Sequence, residues 1–344
     1  MPEGEYLQYG GQAIVEGVMM RSPHYFAVAC RAPNGEIVSR VEPLSKTWIG
    51  RQRWLKLPFL RGSLAILDAM TLGSQAMRFA SNIQLDPAYQ PSSPNGEPAE
   101  AKPSTTSTVP KGVQDAGVGL AMVLGLVIGV LLFVVIPNAV AEIWHRSFHT
   151  TDYRYTNLIT EFIKVTLFLG YVYGIGRLPE IGRIYMYHGA EHKAINTLES
   201  HESLEMEYCL RQTRLHPRCG TSFAVVVLLL SLILFTFVPR YPIPNLENPV
   251  LQVLVRIILE VLILPLVAGF AYEAIRIAGK FRNASLIRAV FWPGLMTQYL
   301  TTKEPDESQI EVALTSLKLV VEAEEQPKEA EVIEPVGVQA LSER

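Results

Sequence analysis

Long apolar runs without a charged side chain constrain this chain more than any other feature of its sequence. Residues 117–137 form such a run of 21 residues, and residues 221–238 form a second, slightly shorter one. A helix needs about 20 apolar residues to cross the hydrocarbon core of a bilayer. The charged fraction of 18% is also below the roughly 25% of an average soluble domain. The sequence therefore predicts an integral membrane protein.

Two further apolar runs, 158–176 and 250–272, each carry one acid and one base a helical turn apart. The four side chains are Glu161 and Lys164 in the first run and Arg256 and Glu260 in the second. Such pairing offsets part of the cost of placing charge in lipid. We predict four membrane-spanning helices whose charges pair across helices, Glu161 with Arg256 and Lys164 with Glu260. Structural pairing is favoured over a transport pathway for these charges.

Basic residues are concentrated after the second and fourth predicted helices. Residues 177–220 contain six Lys or Arg, whereas 138–157 contain two and 239–249 contain one. Positively charged loops stay cytoplasmic, so both termini and the 177–220 loop are predicted to face the cytoplasm of a plasma-membrane protein. The predicted partner is the lipid bilayer, and basic residues such as Arg218 also attract anionic lipid by about 1 kcal/mol each. For Arg218 and its basic neighbours, a topology signal is the favoured interpretation.

The segment before the first apolar run has β character followed by helical character. Runs at 12–20, 24–31 and 36–41, with Asn34-Gly35 as a hairpin turn, predict a small antiparallel sheet of about three strands. Apolar residues at helical spacing between 64 and 80 then predict an amphipathic helix. This helix is expected to lie on the membrane or to pack on the bundle.

The fold class that follows is a mainly α integral membrane protein. It has about four transmembrane helices, a small N-terminal antiparallel β element and cytoplasmic helices. Residues 286–300 are apolar but broken by Pro293-Gly294, so we expect them at the interface or packed under the bundle. The predicted organisation is a β and amphipathic-helix region at 1–86, a disordered proline-rich linker at 87–111, a membrane bundle at 112–300, a helix at 301–320 and a disordered acidic tail at 321–344.

The strongest signal for chemistry is the segment 188–192, His-Gly-Ala-Glu-His. On a helix, His188 and His192 lie one turn apart on the same face, a spacing that lets two imidazoles bind one metal ion. The order H-x-x-E-H is that of the inverzincin peptidases, and Glu191 is placed to polarise a metal-bound water as the catalytic residue. Gly189 weakens the prediction of a regular helix here because glycine is a poor helix former.

A second group of metal-type ligands follows at 216–219, His-Pro-Arg-Cys. Imidazole and thiolate are ligands suited to zinc, so His216 and Cys219 are candidates to complete the site. Four protein ligands describe a closed structural site and three an open catalytic one, and the sequence leaves both open. Glu273, just past the fourth apolar run, is the leading acidic ligand or partner of a ligand. The predicted cofactor is a divalent metal ion, with zinc favoured.

Simpler interpretations exist for each of these residues. Histidines beside a membrane can bond backbone carbonyls, and a buried cysteine can be an inert thiol. The clustering of four of the seven histidines and two of the three cysteines within 32 residues favours metal binding. Arg218 and Glu16 are further candidates, although a surface carboxylate on a strand is favoured for Glu16.

Composition excludes other classes of function. The net charge of −3 shows no basic excess, so nothing indicates a nucleic-acid partner. Three cysteines are an odd number and too few for a disulfide scaffold. The glycines at 10 and 11 do not follow the spacing of a dinucleotide-binding loop.

Five sequence blocks resemble the YqhQ-like family, bacterial membrane proteins built on a domain of unknown function. They are GGQAIVEGVMMRSP at 10–23, YHGAEHK at 187–193, LHPRCGTSF at 215–223, AGFAYE at 268–273 and PGLMTQYLTTKEP at 293–305. Together they are highly specific and span about residues 8–318. The family is described as predicted metal-dependent enzymes, so the resemblance implies a metal-dependent activity without naming a substrate.

Three functions compete at this point. The first is a membrane-embedded, metal-dependent hydrolase with its site at the cytoplasmic surface. The second is a non-enzymatic scaffold or assembly factor with a structural metal site or none. The third, a small-molecule or ion carrier, is the weakest because the four predicted spans show no internal repeat.

Overall fold

A computed structural model describes residues 9–44, 60–91, 120, 123–148, 152–243, 246, 248–280 and 285–325. The predicted linker at 87–111 lies outside the described residues from 92 onwards, and its first part contains a 3₁₀ turn at Pro87–Tyr89. The predicted acidic tail at 321–344 lies outside them from 326 onwards. Residues 321–325 belong to the last helix, Glu307–Glu325, so the helix predicted to end at 320 is longer. The remaining part contains a small sheet, a set of long apolar helices and shorter helices that join the two.

The N-terminal region is an antiparallel sheet in the order β1-β2-β3-β4. Its strands are β1 Gly10–Ile14, β2 Gly17–Arg21, β3 Tyr25–Arg31 and β4 Ile37–Pro43. The prediction of about three strands is corrected at 12–20, where one predicted strand is two strands joined by a two-residue turn. Glu16 in this turn adopts a left-handed conformation with φ of 49°. A Cβ on Gly17 would lie 2.4 Å from the carbonyl oxygen of Ala29 in β3, so the close approach of β3 to the start of β2 requires glycine.

As predicted, four helices among the described residues are long and apolar enough to cross a membrane. The helices are α1 Leu60–Leu85, α2 Val123–Phe148, α3 Tyr153–Ile175, α4 Pro179–Glu199, α5 Met206–Arg211, α6 Gly220–Phe237, α7 Pro249–Lys280, α8 Ser285–Thr301 and α9 Glu307–Glu325. Those long and apolar enough to cross a bilayer are α2, α3, α6 and residues Val250–Ile275 of α7. The chain is therefore built as a multi-pass membrane protein that contacts lipid.

The first span extends further than the apolar run predicted. It continues past Pro137 to Phe148 instead of ending at 137. A π-helical turn, Leu131–Val135, lies just before Pro137 and widens the backbone where proline has no N–H to donate. The polar residues beyond it find partners inside the protein, as Glu142 does with Arg240 at 3.1 Å. The first spanning helix therefore ends at Phe148, eleven residues beyond the end of the apolar run at Pro137.

Buried charges join the spanning helices. Lys164 Nζ lies 2.7 Å from Glu260 Oε2, which confirms one of the two predicted cross-pairs between α3 and α7. The predicted Glu161–Arg256 pair is not among the ion pairs of the described residues. Glu161 instead bonds Lys164 on its own helix at 2.8 Å, and Arg256 bonds Glu260 at 3.0 Å. Arg256 also donates to the carbonyl of Phe235, so it caps the C-terminal end of α6.

The apolar stretch predicted to pack under the bundle forms α8, a helix that packs against α6. Ser222 Oγ of α6 donates to the carbonyl of Gly294 at 3.1 Å, next to Pro293 in the middle of α8. The following helix, α9, begins with a capping box. Asp306 Oδ1 accepts from the N–H of Gln309, and Gln309 Oε1 accepts from the N–H of Asp306. Helix α9 then covers the sheet and α4, with Ile310 and Leu317 fully buried.

Candidate metal centre

Helix α4 carries both histidines of the 188–192 segment in regular helical geometry. The rings of His188 and His192 lie one turn apart, with centroids separated by 4.4 Å. Gly189 does not weaken the helix, contrary to the expectation from propensity. A Cβ at this position would lie only 2.2 Å from the carbonyl oxygen of Lys303. Glycine is therefore needed because the chain after α8 passes directly against α4.

Both imidazoles are held by backbone carbonyls through the same ring nitrogen. His188 Nδ1 lies 2.9 Å from the carbonyl oxygen of Thr301, and His192 Nδ1 lies 2.6 Å from that of Arg214. A carbonyl can only accept, so each Nδ1 carries a proton, and Nε2 is the nitrogen whose lone pair a neutral ring offers to a ligand. Nε2 of His192 is buried and has no hydrogen-bond partner within the described part of the chain. Burial also lowers the pKa of His192, so the ring is neutral and able to bind a metal.

Cys219 presents its sulfur to these two lone pairs. Its Sγ lies 3.2 Å from Nε2 of His188, and the ligand atoms of His188, His192 and Cys219 all lie within 4.8 Å of one another. Nitrogen and sulfur ligands of one tetrahedral zinc are separated by about 3.3–3.6 Å, given bonds of about 2.0–2.3 Å. Cys219 is also the N-cap of α6, where the helix dipole favours a negatively charged ligand. The three donor atoms are therefore close enough together to hold one metal ion.

The other two cysteines do not compete for this role. Burial raises the pKa of Cys30 to about 12 and that of Cys209 to about 11. Both thiols are therefore protonated at neutral pH, and both lie in apolar clusters away from the histidines. Only Cys219 lines the cavity next to the histidines.

His216 lies beside the three-residue group without joining it. Its ring centroid is 5.6 Å from that of His192. Burial lowers the pKa of His216 to about 4, so its 3.2 Å contact from Nε2 to Glu199 is a hydrogen bond donated by a neutral ring. Gln298 fixes the backbone here, since it accepts from the N–H of His216 at 2.8 Å and donates to its carbonyl at 2.6 Å. Glu199 also pairs with Arg218.

Glu191 faces the same cavity from α4. Burial raises its pKa, against the opposing effects of His188, His216 and the backbone N–H of Gly11. Strand β1 approaches so closely that a Cβ on Gly11 would lie 2.8 Å from Cγ of Glu191. The absence of a side chain at Gly11 thus lets the edge of the sheet close over α4.

These residues enclose one small cavity of about 110 Å³. It is lined by Tyr9, Gly10, Gly11, His188, Glu191, His192, Ile195, His216, Arg218, Cys219 and Gly220. Six of the eight predicted site residues therefore meet here. The cavity lies at the N-terminal end of a membrane-spanning helix, α6, and a cavity of this size admits a metal ion with water and a small chemical group.

The two remaining predicted residues lie elsewhere. Glu273 is half-buried on α7 and does not line the cavity. Glu16 forms a bidentate ion pair with Arg183, both contacts at 2.5 Å, and accepts from the hydroxyl of Tyr187 at 3.2 Å. Because this pair holds the β1–β2 turn against α4, Glu16 supports the wall of the cavity from outside.

Sequence reasoning missed the residues that hold the ligands in place. Glu199 follows His192 by seven residues, and this two-turn spacing on one helix face was a readable signal. The carbonyls of Thr301 and Arg214 had no such signal because any residue type supplies a carbonyl. Gln298 and Thr301 belong to the 293–305 block of the family resemblance, which had no predicted role in the site.

Comparison with known proteins agrees with that resemblance. The sequence model of a family described as a protein of unknown function, DUF1385, matches residues 57–323. The "Uncharacterized protein YqhQ" of Bacillus subtilis (strain 168) is 34% identical over 328 residues, which cover 92% of this chain and 93% of that protein. No solved structure matches the chain.

Proposed function

This chain belongs to the DUF1385 family of proteins of unknown function, and from that premise we propose that it is a metal-dependent hydrolase acting at the membrane surface. The observation that carries the proposal is the shared orientation of two imidazoles. Each bonds a backbone carbonyl through Nδ1 and leaves Nε2 for an ion beside Cys219. Histidines that bind metal in proteins almost always donate their other ring nitrogen in this way.

His188, His192 and Cys219 are the proposed ligands of a zinc-type ion. Bound zinc lowers the pKa of a coordinated water to about 7 and polarises a carbonyl or phosphoryl oxygen. Three protein ligands leave one coordination position for water or substrate. The cavity of about 110 Å³ beside the ligands has room for that group.

Glu191 is the proposed proton-transferring residue. It lines the same cavity, and burial raises its pKa above the ordinary glutamate value. A carboxyl group with a raised pKa is suited to general acid–base catalysis. The N–H of Gly11 holds the carboxylate in place. Arg218 lines the cavity in a position fixed by Glu199 and offers a positive charge to an anionic part of the substrate.

Metal content tests the ligand set directly. Purified wild-type protein should retain about one zinc ion per chain after dialysis against a weak chelator. His188→Ala and Cys219→Ser should lose it, whereas His201→Ala, which changes an exposed histidine outside the cavity, should keep it. A wild-type protein that binds no divalent metal, or a Cys219→Ser variant that binds it as tightly as wild type, contradicts the proposal.

Glu191→Gln tests the catalytic role separately from metal binding. The amide keeps the size of the side chain but cannot accept a proton, so metal content should stay near wild type while complementation of a deletion strain is lost. His188→Ala should lose both. Full complementation by Glu191→Gln would remove the proposed base and favour a scaffold function.

A structural metal site in a membrane scaffold is the second candidate. It is favoured by the burial of His216, whose ring lies 5.6 Å from that of His192 and is a candidate fourth ligand after a small movement. Cobalt substitution separates the two functions. An open position predicts that a small anion such as azide changes the visible spectrum of the cobalt protein, and a closed site with four protein ligands predicts no change.

We place the metal centre on the cytoplasmic side, because the loops around it carry most of the basic residues. Cysteine labelling in intact cells tests this placement. Ser147→Cys, at the opposite end of the bundle, should react with an impermeant reagent, and His201→Cys should not. The three native cysteines are buried and give little background. The reverse labelling pattern would overturn the orientation.

A further inference from the structure

Helix α1 is apolar on two opposite sides. One side packs on the sheet and is fully buried, as Leu72, Ala76 and Ala80 show. On the other side Leu67 and Met70 are 53% and 58% exposed. A soluble helix with one neighbour normally turns charged or polar residues outwards, so the first half of α1 has an outer surface that needs an explanation.

The start of α1 lies against a membrane-spanning helix. A Cβ on Gly62 would lie 2.6 Å from Cβ of Tyr272 and 3.0 Å from Cα of Gly269. Both residues belong to the span Val250–Ile275, within its last two turns. Helix α1 therefore begins at the depth where α7 leaves the bilayer.

The outer surface of α1 continues the lipid-facing surface of α7. Leu266 and Phe270 on α7 are exposed beside the contact with Gly62. Met70 is eight residues along α1 from that contact, which corresponds to about 12 Å along the helix axis. The exposed side chains of α1 thus lie next to a surface that already contacts lipid.

The sequence before and at the start of α1 is basic and contains tryptophan, as is typical of segments that bind an anionic membrane surface. Residues 45–61 contain five basic and no acidic residues, together with two tryptophans. They are Lys46, Arg51, Arg53, Lys56 and Arg61, with Trp48 and Trp54. Each basic residue near an anionic leaflet contributes about 1 kcal/mol of attraction, and tryptophan is enriched at membrane interfaces.

We propose that the first half of α1 is a membrane-surface helix whose outer side, with Leu67 and Met70, inserts among the lipids of an anionic leaflet. A second copy of the chain is a poorer occupant of this surface. Two copies meeting there would bring two basic segments together, and like charges at an interface oppose association. The second half of α1 is more polar on its outer side, where Arg78 and Ser81 lie near the partly exposed Met77. The proposal therefore places Arg78 and Ser81 in water.

Site-directed spin labelling tests the insertion. Nitroxides are attached to Leu67→Cys and Met70→Cys in the full-length protein, reconstituted in vesicles of phosphatidylcholine and phosphatidylglycerol. Arg78→Cys and Ser81→Cys are the matched controls on the same side of the same helix. Oxygen, which concentrates in lipid, should relax the labels at 67 and 70, and an aqueous nickel chelate should relax those at 78 and 81. Labelled wild type measures any background from the buried native cysteines.

The outcomes are distinct. Labels at 67 and 70 that respond to the nickel chelate as strongly as the label at 81 would show a water-exposed helix and overturn the proposal. Labels that are immobile and reached by neither reagent would indicate a protein partner, which also overturns it. In vesicles of phosphatidylcholine alone, access of the nickel chelate to 67 and 70 should increase. Unchanged access there would disprove the requirement for anionic lipid.

Discussion

Replacement of Gly189 by alanine isolates the close contact that shapes the metal centre. The new methyl would lie 2.2 Å from the carbonyl oxygen of Lys303, whereas ordinary contacts are about 3.5 Å. The segment after α8 would have to move away by about 1 Å, because the hydrogen-bonded backbone of α4 cannot shift by that amount. Overpacking of this kind costs up to about 3 kcal/mol, and the better helix propensity of alanine returns about 1 kcal/mol. We therefore expect the free energy of unfolding of Gly189→Ala to be about 2 kcal/mol lower than that of wild type.

The same movement should weaken metal binding. Thr301, two residues before Lys303, holds His188 through a 2.9 Å hydrogen bond from Nδ1 to its carbonyl oxygen. Loss of such a supporting contact typically lowers metal affinity by about 10–100-fold. Competition with a chromophoric zinc chelator measures the affinity, and equilibrium unfolding in mixed micelles measures the stability.

Gly182→Ala is the matched control on the same helix. Its methyl would meet Lys303 as well, but at 2.7 Å from Nζ, the end of a flexible side chain that can turn away. The movement would cost at most the hydrogen bond from Lys303 Nζ to the carbonyl of Gly176, about 1 kcal/mol, which the better helix propensity of alanine offsets. This variant should therefore be about as stable as wild type, with unchanged zinc affinity. If Gly189→Ala proves as stable as Gly182→Ala and binds zinc as tightly, the close contact does not govern the site.

Three further predictions concern the cavity wall, the membrane interior and the acid side of the pH range. Gly11→Ala should cost about 1–3 kcal/mol, because its methyl would lie 2.8 Å from three atoms. A methyl at position 10 would have no atom within 4 Å, so Gly10→Ala should leave the stability unchanged. Equal unfolding temperatures of Gly10→Ala and Gly11→Ala would contradict the close approach of β1. Lys164→Met leaves two buried carboxylates without their cation and should cost roughly 3–5 kcal/mol. Arg211→Met breaks only an exposed pair and should change stability little, so similar effects of the two variants would argue against a buried network. Although burial raises the pKa of Glu324, hydrogen bonds from the turn before β3 outweigh it and hold that pKa below the ordinary glutamate value. The stability that Glu324 contributes should be present at neutral pH and fall as the pH drops below about 4.5. If the difference in free energy of unfolding between wild type and Glu324→Gln does not shrink in acid, this prediction is wrong.

The candidate site was only partly readable from the sequence. The i, i+4 spacing of His188 and His192 places them on one helix face wherever the helix lies, so their pairing was predictable. Cys219 was recognised by its ligand chemistry, but the sequence could not rank it against His216 or Glu273. Glu273 is adjacent to an apolar run, as predicted, yet it does not line the cavity. A hydrophobic pattern does not fix the rotation of a helix, which changes the direction of a side chain by about 100° per residue, and it does not fix which elements the end of the helix packs against.

The sequence by itself determined the membrane character, the number of spanning helices and the antiparallel pairing at Asn34-Gly35. Each of these depends on local composition or on residues within one or two turns of each other, so a short stretch of sequence is enough to predict it. Tertiary structure alone decided that Lys303 passes Gly189, that β1 closes over Glu191, and that carbonyls from two distant segments orient the histidines. These contacts join residues up to about 180 positions apart, and their backbone groups are chemically identical along the chain. Only the packing of helices and sheet selects which carbonyl, and which glycine, meets the site.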